Sequence, residues 1–408
     1  MTDSISDTID DMKDEMIEFT RKMLEIPAMA PESDGTGELE KVELILEMIK
    51  DWGFDRIERY DAPDDRVPDG TRPNVLLRVK GEEEGLPPVW IFAHTDVVPP
   101  GDLNKWSGDP WKLRVDGDRM TARGVEDNGQ DLVSALFAVK AILGSKRPRR
   151  DVNIFMVADE EVGSAKGMGF LMKEHEGLFS RDDLFIVPDA GEPDGSMIEV
   201  AEKSIMWVKV KTYGKQVHAS VPNKGVNANL AAMRFLVSIY DELHERYLDE
   251  DTLYDYPRSS FTPSKREANV PNVNTIPGED VSYLDCRIMP HYKADEVLKF
   301  IMSRAEEHAK EHNVQMEIET LQFEQAAPPT PADHPVVSML SKAIKEVYGI
   351  EAKAQGIGGG TCAAILRRAG YPAAVWAKLE DTAHMPDETA LLSNYIGDAK
   401  VFARVFMS

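Results

Sequence analysis

Residues 151–163 read Asp-Val-Asn-Ile-Phe-Met-Val-Ala-Asp-Glu-Glu-Val-Gly, and the fold can be worked outward from them. Val152, Ile154, Phe155, Met156 and Val157 make a short, nearly continuous apolar run, the pattern of a strand buried on both faces. The run ends in three acids, Asp159, Glu160 and Glu161. Adjacent carboxylates beyond a buried strand repel one another and resist desolvation. Either they form a solvated turn or helix cap, or a positive charge, most simply a metal, compensates them.

On either side of this stretch the pattern is that of an α/β layer. Residues 12–22 and 39–52 carry apolar side chains at helical spacing, residues 74–79 and 88–93 read as strands, and 131–143 as a third helix. Strands alternating with helices predict a largely buried sheet, in which ligands sit beyond the strand C-termini. His94-Thr95-Asp96 and Asp159-Glu160-Glu161 both fall at such ends. From about Ser204 the order becomes strand (205–212), helix (227–247), strand (281–289), helix (293–312) and strand (314–323). This predicts a small α+β domain with one exposed helical layer, inserted into the first. The expected division is 1–203 with 324–408 for the main domain and 204–323 for the insertion, with 249–270 as a long proline-bearing loop. A helix at 336–348, a flexible loop at 356–360 and a last strand at 373–377 complete the main domain.

The bulk numbers narrow the function classes. The 408 residues hold 47 Lys plus Arg against 72 Asp plus Glu, a net charge of -25 with a pI near 4.8. This argues against a nucleic-acid or anionic-membrane surface, and the one basic cluster, Lys146 to Arg150, reads as a solvated loop. Only Cys286 and Cys362 occur, so neither a disulfide framework nor a thiolate zinc site is suggested. The first residues are acidic and polar, and no apolar run reaches bilayer length. A soluble, cytoplasmic protein is expected. A Gly-x-Ser-x-Gly elbow, a P-loop and a His-Glu-x-x-His pattern are all missing.

The residues that carry chemistry lie in separate loops of the main domain. The run Ile91-Phe92-Ala93 delivers His94 to a strand end, with Asp96 placed to accept its second N–H and set its tautomer. Gly124 and Gly129 bracket Asp127 just before a helix, where its carboxylate could bridge two cations or simply cap the helix. Asp189 follows another apolar run, and His384 stands in a loop near the C-terminus. Two imidazoles and three carboxylates suit borderline divalent metals such as zinc, cobalt or manganese, with Glu160 left over.

The ordered series His94-Thr-Asp96, Arg123-Gly-x-x-Asp127, Asp159-Glu-Glu161, Pro188-Asp-Ala-Gly191, His218-Ala-Ser220 and the late His384 resembles the dinuclear zinc amidohydrolases and peptidases. That family includes succinyl-diaminopimelate desuccinylase, acetylornithine deacetylase, aminoacylase and glutamate carboxypeptidases. The resemblance implies a zinc-peptidase-like catalytic domain with a mixed central sheet flanked by helices, plus an inserted ferredoxin-like α+β domain serving as lid and dimerisation element. It implies two divalent ions, zinc with cobalt or manganese as alternatives. His94 and Asp189 would hold one ion, Glu161 and His384 the other, and Asp127 would bridge. Asp96 would orient His94, and Glu160 would be the general base towards a metal-bridging water. His218 would stabilise the oxyanion in the partner subunit of a homodimer. Arg287 and Asn274 would clamp the substrate's carboxylate, and Gly359, Gly360 and Thr361 would line its pocket.

Two departures bear on the substrate. Asn128-Gly129-Gln130 stands where many relatives carry a lysine and a glycine, and Thr361-Cys362-Ala363 replaces the serine and aspartate of typical desuccinylases. The expectation is hydrolysis of the amide bond of a small N-acyl amino acid. A carboxypeptidase or dipeptidase acting on short peptides is the alternative, and a non-catalytic binding homologue the more distant one.

Overall fold

The computed structural model describes residues 2–408. The strand predicted from the opening stretch forms as Val152–Val157, with all six residues buried. It lies in an eight-stranded sheet ordered Arg56–Arg59, Val75–Val79, Val152–Val157, Val89–His94, Leu184–Gly191, Ala373–Ala377, Met197–Glu202 and Lys353–Ile357. Val89–His94 runs parallel to both Val152–Val157 and Leu184–Gly191, and Ala373–Ala377 runs parallel to Leu184–Gly191. Val75–Val79 pairs antiparallel with both its neighbours and Met197–Glu202 with Ala373–Ala377, so the sheet is mixed.

Two-residue alternation sets what each sheet face buries. Trp90 and Phe92 share one face and stack with Phe155 and Phe185 at centroid distances of 5.6 to 6.3 Å. The Trp90 indole N–H donates to Asp183 at 2.9 Å. Helix Gly129–Leu143 packs on Val89–His94 and on the C-terminal helix Leu392–Phe406, and it is buried along almost its whole length. Each large apolar side chain so buried contributes roughly 1.5–3 kcal/mol, and together they hold the ends of the three central strands in register.

The chain divides into two units. One comprises the chain up to Val200 with Thr330–Gln355 and Thr361–Ser408, the other Ala201–Pro329 with Gly356–Gly360. The second unit has a four-stranded antiparallel sheet ordered Ser260–Arg266, Glu279–Ile288, Ser204–Tyr213 and Gln315–Glu324. Its helices Ala228–Arg246 and Ala294–His312 cover a core of Met206, Val208, Phe235, Leu284, Val297 and Ile301.

One local reading fails. The segment 249–270 is not all loop, because Ser260–Arg266 pairs with Glu279–Ile288 at the sheet edge. Pro263 misled the reading, but an edge strand needs no ladder N–H on its outer side, and the register shifts beside it. The acidic N-terminal residues are helical too, as Thr2–Asp11, anchored by buried Ile5 and Ile9. Among the described residues no helix is long and apolar enough to cross a membrane.

Candidate metal centre

Three adjacent parallel strands deliver their carboxyl ends to one place. His94 closes Val89–His94, Glu160 and Glu161 follow Val152–Val157, and Asp189 lies near the end of Leu184–Gly191. Asp127 precedes helix Gly129–Leu143, and His384 follows strand Ala373–Ala377 in a loop with φ 64°. His94 Nε2 lies 2.8 Å from Asp127 Oδ1 and 3.4 Å from Asp189 Oδ1. His384 Nε2 lies 3.1 Å from Asp127 Oδ2 and 2.9 Å from Glu161 Oε2. Asp127 therefore turns one oxygen to each imidazole.

The donors form two groups, His94 with Asp127 and Asp189, and Asp127 with Glu161 and His384, whose candidate atoms all lie within 4.8 Å of one another in each group. Nitrogen and carboxylate oxygen donors with one shared carboxylate fit two divalent cations. Glu160 belongs to neither group.

The crowded donors shift one another's proton affinities. Burial pushes the His94 imidazole down, but Asp127, Asp189 and Asp96 outweigh it and raise the ring well above its ordinary value. Hydrogen bonding to Asp127 and Glu161 raises His384 to about 10. Burial pushes Asp127 up, yet the two imidazoles hold it below the usual carboxylate range. Glu161 is raised to about 7 by burial and by Asp127. Burial and the facing Asp189 raise Glu160 well above the ordinary value. Carboxylates crowded this closely without an adequate counter-charge are what a cation relieves.

The surroundings refine one expectation and add residues the sequence reading passed over. His94 Nδ1 meets the main-chain oxygen of Asp96 at 3.0 Å, and the nearest Asp96 carboxylate oxygen is 3.5 Å away. That carboxylate instead accepts the N–H groups of Glu160 and Glu161, both at 3.1 Å. Asp96 thus holds the acidic turn as well as the imidazole. Asp159 is structural: in a left-handed turn with φ 67°, it accepts Arg72 Nη1 at 2.9 Å. Arg72 Nε donates in turn to Glu38 at 2.7 Å, and all three residues are buried. Lys41 Nζ, buried and lowered to about 8 by burial, donates to the main-chain oxygen of Thr95 at 3.0 Å. Its signal was available, since Lys41 shares a helix face with Ile45 and Ile49.

The other anticipated contacts lie outside the two donor groups. Arg287 is already bidentate to Asp285, with Nε to Oδ1 at 2.7 Å and Nη2 to Oδ2 at 3.1 Å, and Nη1 donates to the oxygen of Gly358 at 2.9 Å. The fork expected to be free for a substrate is thus largely committed within its own unit. His218 Nδ1 and Ser220 Oγ are 2.8 Å apart on an exposed surface. The main-chain oxygen of Asn274, itself exposed, accepts Ala219 N–H at 2.8 Å. A Cβ at Gly359 would meet only Ile357 at 3.8 Å, so the fold does not itself demand glycine there. Thr361 Oγ1 accepts the N–H of Ala363, the first residue of the helix Ala363–Arg368, at 3.2 Å.

Comparison with known proteins agrees with this geometry. Residues 90–408 match the model of peptidase family M20/M25/M40. An uncharacterised metallohydrolase of Methanococcus maripaludis is 37% identical over 95% of this chain and 98% of its own length. A succinyl-diaminopimelate desuccinylase of Hydrogenovibrio crunogenus is 24% identical over 93% of this chain and 95% of its own. Human carnosine dipeptidase 1 superposes with a TM-score of 0.76 at 18% identity, covering 100% of this chain and 98% of the other.

Proposed function

This chain belongs to peptidase family M20/M25/M40 and is a metal-dependent amide-bond hydrolase, and from that premise we propose that it cleaves the amide bond of a small N-acyl amino acid. The observation that carries the reading is the shared Asp127: one oxygen faces His94, the other faces His384, and Glu160 stays outside both donor groups. In this reading His94, Asp127 and Asp189 hold one divalent cation and Asp127, Glu161 and His384 a second. Zinc is the assigned metal, with cobalt and manganese as alternatives. Cations bound there polarise a scissile carbonyl and acidify water.

The chain's own residues do the rest. Glu160, which stays outside both donor groups, takes the proton from the attacking water as its oxygen bonds the carbonyl carbon. It then passes that proton to the nitrogen as the C–N bond breaks. Asp96 fixes the backbone of Glu160 through its N–H. Arg287, through the N–H groups not given to Asp285 and Gly358, and Asn274 are assigned to the substrate's carboxylate, with Gly359, Gly360 and Thr361 lining its pocket, and His218 to the developing oxyanion in a homodimer. Helix Ala228–Arg246 supports pairing, because Leu230, Met233, Val237 and Tyr240 are exposed at three- and four-residue spacing, Val237 at 64%. Val237→Glu is expected to yield monomers by analytical ultracentrifugation.

A short peptide is the second reading. It is favoured by Thr361-Cys362-Ala363, which lacks the serine and aspartate of desuccinylases, and by the fold shared with carnosine dipeptidase 1. The deciding experiment is a hydrolysis screen of N-acetyl, N-succinyl and N-formyl amino acids beside dipeptides, with zinc, cobalt and manganese each supplied. Turnover confined to dipeptides would overturn the deacylase assignment.

A further inference from the structure

The loop that carries Asp127 and the loop that carries His384 leave two strands, Arg119–Thr121 and Thr389–Leu391, that pair antiparallel. Past that pairing no regular ladder joins them. Two glutamates do so instead, crossing in opposite directions. Glu388 sends its side chain into the Asp127 loop: Oε2 accepts Arg123 Nη1 at 2.6 Å and the N–H of Gly124 at 3.1 Å. Its Oε1 accepts the N–H of Glu126 at 2.9 Å and of Asp127 at 3.0 Å. Glu126 sends its own into the His384 loop, where Oε2 accepts the N–H of Glu380 at 2.5 Å and Oε1 that of Thr382 at 2.6 Å. Both glutamates are buried, at 0% and 1% exposure. Arg123 adds a bond from Nη2 to the main-chain oxygen of His384 at 3.3 Å.

Each carboxyl group thus meets the otherwise orphaned N–H groups of the opposite loop, which would be costly to bury without a partner. Glu126 directly precedes Asp127, and Glu388 lies four residues beyond His384. We propose that Glu126 and Glu388 are positioning residues that cross-brace these two loops and so hold Asp127 and His384 in register for the more exposed of the two cations. His94 and Asp189 need no such brace, because strands of the central sheet carry them. The inference rests on the metal reading above. What it adds is that the geometry of the exposed half depends on two acids that touch neither cation nor substrate.

The test uses the full-length protein, stripped with a chelator and titrated with Co2+ while its visible absorption and heat of binding are followed. Wild type should take up two equivalents, and fewer would overturn the metal reading and this inference with it. Glu388→Gln places an amide NH2 against N–H donors and should weaken the second equivalent by about 10- to 100-fold, changing the cobalt spectrum while the first equivalent keeps most of its affinity. Glu126→Gln cuts the brace from the other side and should act alike, which keeps the test open if one variant fails to fold. Glu199→Gln breaks a different buried pair in the same unit, with Arg367 at 2.7 Å. It should lower thermal stability yet leave both affinities unchanged. Wild-type affinities for both equivalents in the Glu388 and Glu126 variants would overturn the inference, as would an equal loss in the Glu199 variant.

Discussion

His94 and His384 play matching parts in surroundings that have little in common. The His94 side chain is 2% exposed at the end of a strand buried throughout, whereas that of His384 is 56% exposed in an irregular loop. The sheet makes the first half of the centre, and apolar packing that has nothing to do with metal supports it. The second half is made by loops, and hydrogen bonds to their backbone support it. A centre built this way should be unequal in affinity and exchange, although its donor sets are chemically close to equivalent.

The largest expected effect isolates the chemistry that the two halves share. Glu160→Ala should retain both cations by metal analysis and lose about 10²- to 10⁴-fold in kcat, the usual contribution of a general base. Undiminished hydrolysis would refute that role. Next, His94→Ala should bind at most one cation weakly and lose activity, since Asp127 and Asp189 would be left without the imidazole they share. His384→Ala should keep the first cation. Equal metal loss in the two variants would break the comparison.

A smaller effect separates the halves in time. On dilution into chelator, wild type should release one cation faster than the other, with the slow one protected by the burial around His94. Simultaneous release, followed by metal analysis of quenched samples, would count against the distinction. The smallest effect is in pH. Because His384 in the cation-free protein is raised to about 10 from its ordinary 6.5, its proton stabilises the cation-free fold fully below pH 6.5, and that contribution is lost as pH rises towards 10. Cation binding must displace this proton, so between those limits uptake should release protons and tighten by up to about tenfold per pH unit. Calorimetry in buffers of differing ionisation heat measures the release, and binding independent of buffer would be the contrary result.

Much of this centre was legible in the chain itself. Apolar runs fix where strands end, so residue types at those ends, His94, the acids after Val157 and Asp189, already announced a ligand site, and spacing along the chain sufficed to find them. Proline spacing hid the edge strand Ser260–Arg266, because edge pairing relaxes the rule that excludes proline from a ladder. Arg72 and Glu38 escaped notice because nothing in sequence shows that the partners of a charged residue will bury it, whereas Lys41 could have been found from the apolar face it shares with Ile45 and Ile49.

What the sequence by itself determined is the inventory: which side chains could ligate a cation, which acid was spare, and that strand ends would present them. Tertiary structure alone decided how Asp127 divides its two oxygens, that the main-chain oxygen of Asp96 lies nearer His94 than its carboxylate does, and that Glu388 reaches the N–H of Glu126, 262 residues away in the chain. Periodicity records local burial, but a hydrogen bond closed across the fold depends on where two distant loops meet, and that is settled only when the core between them packs.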